Sequence, residues 1–191
     1  NIQILRFEKE ADFISNWTES SWSAYQEKVL SIYDDIFAGD KKYFAADGGN
    51  WPPLGIACYL DSTRKVMGTV GLAQLPMPML GMNYEDDMLE DHRHVELVIA
   101  INDDIEFMPL AEYLSAQSTF PWYWGTHFDN GHTIPCKQLI DIGSKMTHML
   151  FIEEASFLQK ISIPRFKKNK VRLLFLIPIH ESEQRYAEQH S

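Results

Sequence analysis

In the stretch "DHRHVE", His92, His94 and Glu96 stand at alternate positions. On an extended strand all three side chains would leave one face, where imidazole and carboxylate groups can share a metal ion. No second cluster at ligand spacing follows, and His94 and Glu96 read equally well as half-buried polar groups with protein partners. Another pair, His127 and His132 in "THFDNGH", brackets Asp129, but Asp-Asn-Gly is the composition of a turn. Nucleophiles are no better placed. There is no G-x-S-x-G, Ser144 in "DIGSKM" lacks the serine-first S-x-x-K order, and neither Cys58 nor Cys136 sits in a C-x-x-C. The acidic pairs Asp86-Asp87 and Glu153-Glu154 are adjacent, so on a strand they would point to opposite faces instead of converging on one bond.

Phosphate chemistry is the remaining candidate. "VMGTVGLAQLPMPM" carries Gly68 and Gly71 three apart, but a phosphate cradle needs a third glycine or a Gly-Lys-Ser/Thr ending so that several N–H groups converge on one anion. Both glycines lie in a β-capable run, where glycine marks a bulge or a close approach of other groups. The residues thus predict no catalytic group, no metal and no cofactor.

The elements that would carry these residues can be read from periodicity. In "NWTESSWSAYQEKVLSIYDDIFAG", Asn16 and Glu19 have capping-box spacing, and Trp22, Tyr25, Val29, Ile32 and Ile36 recur at helical intervals up to a stop at Gly39. "DGGNWPP" reads as a loop. "LGIACYLD" and "VMGTVGLAQL" read as a hairpin about Ser62 to Lys65, with Pro76 and Pro78 ending its second strand. "HVELVIAI" places Val95, Leu97, Ile99 and Ile101 on one face and Val98 and Ala100 on the other, the pattern of a strand covered on both sides. A short helix is expected from Pro109 to Gln117, and the aromatic "STFPWYWGTHFDNGHTIP" as irregular chain docked through its rings. "HMLFIEEA" and "VRLLFLIPI" read as strands joined by a basic loop "RFKKNK", with Pro178 closing the last one. A terminal helix follows in "ESEQRYAEQ", with Glu181 and Arg185 at ion-pair spacing.

Bulk properties bound the function classes. A chain of 191 residues that is 45% apolar can bury one substantial core, which favours one unit over residues 1–191. Twenty-seven acidic side chains against 17 basic ones give a net charge of -10, which repels phosphate backbones and argues against nucleic-acid binding. A basic protein partner fits that field better. The longest strongly apolar run, Leu173 to Ile179, reaches a third of the roughly 20 residues of a membrane span, and the first residues lack a signal-peptide core. The expectation is a cytoplasmic protein with both cysteines reduced and buried, away from membranes. The chain begins without methionine, so an upstream piece can be missing.

Taken in order, "VMGTVGLAQLPMP", then "RHVELVIAI", then "LLFLIPIHESE" before a terminal helix resemble the suppressor of fused family over residues 45–190. The resemblance implies an α+β fold, a mixed sheet packed by helices, and a function in binding protein. Animal members hold transcription factors through this domain and a second one, for which this chain has no room. Compact single-domain bacterial members are regarded as immunity proteins that neutralise toxins. Thr69, Val70, Gly71, Glu96, Leu97, Pro178, Glu181 and Glu183 match the family pattern and read as marks of the fold, and the family supplies no catalytic residue.

The expectation is therefore an immunity-type protein that neutralises a cognate toxin by direct binding. Its acidic side chains Glu85, Asp86, Asp87, Glu90 and Asp91 would meet a basic toxin domain. The aromatic segment around Trp122, Tyr123 and Trp124 would instead be the contact of a general interaction module. The alternatives are a general interaction module with a non-toxin partner and an enzyme built on His94, Glu96 or His127.

Overall fold

The computed structural model describes residues 18–45, 53–74, 76–78, 92–102, 104–153, 163–166 and 169–190. Helix α1 (Glu19–Ile36) starts two residues later than the spacing of Asn16 and Glu19 suggests. Its cap is Thr18, whose side chain accepts from the Ser21 backbone N–H while the Ser21 hydroxyl accepts from the Thr18 N–H. The capping box is thus built by two short hydroxyl side chains. Trp22, Tyr25, Val29 and Tyr33 form the buried stripe, and Ile32 and Ile36 sit at its margin.

The strands are β1 (Asp40–Ala45), β2 (Gly55–Leu60), β3 (Arg64–Val70), β4 (Val95–Asn102), β5 (Thr133–Pro135), β6 (His148–Ile152), β7 (Ile163–Phe166) and β8 (Asn169–Ile179). They lie in the order β1-β2-β3-β4-β8-β6-β5, with β7 pairing on β8. All pairs are antiparallel except β4 with β8, so the sheet is mixed. That parallel pair needs a long crossover. The crossover holds helices α2 (Met108–Ala116), α3 (Phe120–Trp124) and α4 (Lys137–Asp141), and α5 (Glu181–His190) follows β8.

The central strands are buried on both faces, as the near-continuous apolar runs of β4 and β8 require. One face packs under α1, where Trp22, Tyr25, Val29 and Tyr33 meet Ala57, Tyr59, Val66, Val98 and Phe175. The opposite face packs under α2, where Leu110, Tyr113 and Leu114 meet Ile56, Met67, Leu97, Ile99 and Leu176. Two helical layers on a mixed sheet make this an α+β fold.

Several boundaries differ from the sequence reading. Strand β3 ends at Val70, not at Pro76: Gly71 takes φ +109° and the chain enters a single 3₁₀ turn, Leu72–Gln74. Gly39 is not the helix stop, because α1 ends at Ile36 with Phe37 as its C-cap. Gly39 instead admits the Leu60 carbonyl where β1 begins, and a Cβ would collide with it. Arg165 and Phe166, read as loop, belong to β7, and Pro178 lies within β8. Proline is tolerated there because β4 pairs with β8 only as far as Leu176, so one flank of position 178 has no β4 donor or acceptor to match. Strand β1, helix α3 and strand β5 carry too few residues for their periodicity to stand out.

Candidate protein-binding surface

Two buried polar clusters and one open pocket gather some of the residues singled out above. The first cluster is centred on Glu96, fully buried on the α1 side of β4. Its carboxylate accepts from the Tyr25 hydroxyl at 2.6 Å, the Thr69 hydroxyl at 2.5 Å, and the backbone N–H groups of Gly71, Leu72 and Ala73 at 2.9, 3.2 and 3.2 Å. The left-handed backbone at Gly71 turns those three N–H groups toward one anion, a nest filled by the protein's own carboxylate. Burial raises the Glu96 pKa, and the hydrogen bonds from Thr69, Tyr25, Gly71 and Ala73 oppose that rise. Thr69 is doubly used, since its hydroxyl also accepts from the Leu97 N–H at 2.8 Å. Tyr33 donates to the Thr69 carbonyl at 2.9 Å, and its ring lies against Gly68, where a Cβ would approach to 2.5 Å. The "GTVG" stretch thus surrounds a buried side chain.

The second cluster is centred on Arg172 of β8, also buried. Its guanidinium donates to Asp129 at 2.5 Å and to Glu153 at 3.0 Å, and lies 2.9 Å from His92 Nδ1. Burial works against ionisation of Asp129, yet the Arg172 hydrogen bond and charge hold its carboxyl below the usual range. His92 thus faces Arg172 and Asp129, whereas His94 Nδ1 sits 2.6 Å from the Ala73 carbonyl and Glu96 lies in its nest. Alternation along the chain does not bring the three together, because His92 precedes β4 and does not share its pleat. Among the described residues no group of three or more His, Cys, Asp or Glu is arranged to hold a metal.

The pocket, of about 470 Å³, opens between α3, β5 and α5. Phe120, Phe128 and Ile134 give it apolar walls, and His127, His132 and Glu188 add polar ones. The two imidazoles meet edge to face at 4.9 Å between centroids. Burial is the main cause that lowers the His127 pKa, with His132 adding to it. Beside the pocket, α3 ends at Gly125 in left-handed conformation. Its rings are presented unequally: Tyr123 is 80% exposed and Trp124 66% exposed, while Trp122 is half-buried. Trp124 packs at 6.4 Å from Phe120 and so is continuous with the pocket wall.

The other residues predicted to matter fall in three places. Val70 and Leu97 are core side chains, and Pro178 is half-buried in β8. Glu183 accepts from the His180 N–H at 2.7 Å at the start of α5, and Glu181 pairs with Arg185 at 2.6 Å. Glu85, Asp86, Asp87, Glu90 and Asp91 lie outside the described residues. Arg172 was missed, although a lone cation inside "VRLLFLIPI" is a signal that acidic partners must come from elsewhere. The pocket was not legible, since its walls come from segments some sixty residues apart that only the fold joins.

A mixed sheet covered by α1 on one face and α2 on the other, with a carboxylate locked in the turn after β3, places the protein in a definite α+β class. The family described as Suppressor of fused protein (SUFU) matches residues 50–191, and the chain belongs to it. A crystal structure of a suppressor of fused homologue from Neisseria gonorrhoeae is similar in fold, with a TM-score of 0.62 at 19% identity. The match covers 88% of this chain and 85% of that one. No curated protein matches the chain.

Proposed function

We propose that the chain is a protein-binding domain that acts as an immunity-type protein, neutralising a basic toxin by direct contact and performing no chemical step. The observation that carries the docking surface is the exposure of Tyr123 and Trp124 on one short helix beside an open pocket. Exposed aromatic pairs of this kind anchor interfaces, because they bury large apolar area with little loss of side-chain entropy. The net charge of -10 supports a basic partner, which such a field attracts and orients. Glu85, Asp86, Asp87, Glu90 and Asp91 would supply a second, acidic contact.

Capture from lysate of the source cells on the purified chain tests the reading. One basic protein should be retained, salt should weaken its retention, and its expression should arrest growth unless this chain is co-expressed. A retained protein that is harmless when expressed alone would refute immunity and leave a general interaction module.

A further inference from the structure

We infer that His127 is a proton-operated latch on the pocket: the neutral ring keeps the wall between α3 and β5 closed, and the charged ring opens the turn that forms it. The Nε2 atom of His127 is buried without a hydrogen-bond partner. A neutral ring can leave that nitrogen as a bare lone pair and carry its proton on Nδ1. An imidazolium has no such choice, because both nitrogens then donate, and a buried N–H of a charged ring without an acceptor is costly.

The surrounding charges point the same way. Arg172 of β8 is a fixed cation near the ring, and His132, edge to face with it at 4.9 Å, and His92 before β4 become cations in acid. Asp129 favours the charged ring, but its carboxylate is already held by Arg172 at 2.5 Å. Glu153 at the end of β6 is held by the same guanidinium at 3.0 Å, and Glu188 lines the pocket from α5. His132 can take a proton in place, since its Nδ1 lies 3.3 Å from the His127 carbonyl and can donate to it. Burial, with His132 next, lowers the His127 pKa, so the closed turn is unpenalised above the ring's ordinary 6.5 and loses stability as pH falls through that value.

The latch holds the turn over residues 126–133, which supplies most of the pocket lining. Two backbone bonds tie that turn to β6: the Gly131 N–H donates to the Phe151 carbonyl at 2.8 Å, and the Phe151 N–H to the His132 carbonyl at 2.9 Å. Phe128 is pinned by stacking on Phe151 at 4.9 Å, so the relief of a charged His127 falls on those two bonds. The turn follows directly from α3, so on the protein-binding reading above a partner seated on Tyr123 and Trp124 loses part of its support in acid.

The test is amide hydrogen exchange of the full chain by NMR at about pH 7.5 and about pH 5.5, corrected for the intrinsic pH dependence of exchange, alongside titration of the His127 imidazole resonances. The imidazole should titrate below 6.5. Protection of the Gly131 and Phe151 amides should fall several-fold at the lower pH, with a ceiling of about tenfold set by an open ring that titrates at 6.5, while the β4 amides keep theirs. His127→Phe keeps a ring that cannot take a proton, and should show the same protection at both pH values. An imidazole that titrates at or above 6.5, unchanged protection of Gly131 and Phe151 while His127 charges, or wild-type pH dependence in His127→Phe would each overturn the latch. The wild-type measurements decide the matter even where the variant fails to fold. Because no partner is needed, failure of the latch would leave the docking surface on α3 to be judged separately by capture.

Discussion

At the scale of single residues, Glu96 and Arg172 decide how the interior tolerates charge. Glu96 receives five hydrogen bonds, all from donors, so only an acceptor suits both of its oxygens. Glu96→Gln points an amide NH₂ at those donors, and the expected loss is about 2–3 kcal/mol in urea unfolding. A loss within experimental error would show that the nest relaxes around the amide. Arg172 makes a pH-dependent prediction. Asp129 has its pKa depressed below the ordinary 3.8, so it stabilises the fold above that pH, and the contribution is lost as pH falls through the lower folded value. Arg172→Met leaves Asp129 and Glu153 without their cation, a loss of about 3 kcal/mol at pH 7 that should shrink toward pH 3. A deficit independent of pH would mean that packing, not charge, is what Arg172 supplies.

At the scale of elements, the turn after β3 shows what sequence could and could not convey. Gly68 and Gly71 were legible as packing glycines because their run lacks the rest of a phosphate loop, but the anion they surround comes from β4, twenty-five residues on. Gly71→Ala combines a φ of +109° with a Cβ that collides with the Trp22 ring and stands 2.9 Å from the Pro53 carbonyl. Thermal unfolding should therefore show a loss of about 2 kcal/mol or more, and a smaller loss would mean that the turn can change its backbone form. The long amphipathic helix and the double-sided strand β4 were legible because eighteen and eight residues give periodicity room to show. Strand β1, helix α3 and strand β5, of three to six residues, are fixed by pairing and docking, which leave no local pattern. The cap moved from Asn16 to Thr18 for a related reason: several short polar residues in a row can each cap, and tertiary packing of Trp22 and Tyr25 selects among them.

At the scale of the whole molecule, the two helical layers leave Tyr123 and Trp124 exposed side by side on α3, while among the described residues Tyr186 on α5 and Tyr43 on β1 are exposed singly. Glu96 and Arg172, the two buried charged side chains of the sheet, are each held by other groups of the protein, whereas Tyr123 and Trp124 stay exposed. A charge of -10 gives the whole chain a field that favours a basic partner and fades with added salt. The most direct measurement is the affinity of the captured partner for the wild-type chain and for Trp124→Ala, compared at low and high salt. The account predicts a loss of about tenfold or more on removing the indole, with both proteins binding more weakly as salt rises. Equal affinity of the two chains for the same partner would place the contact elsewhere and contradict the role assigned to α3.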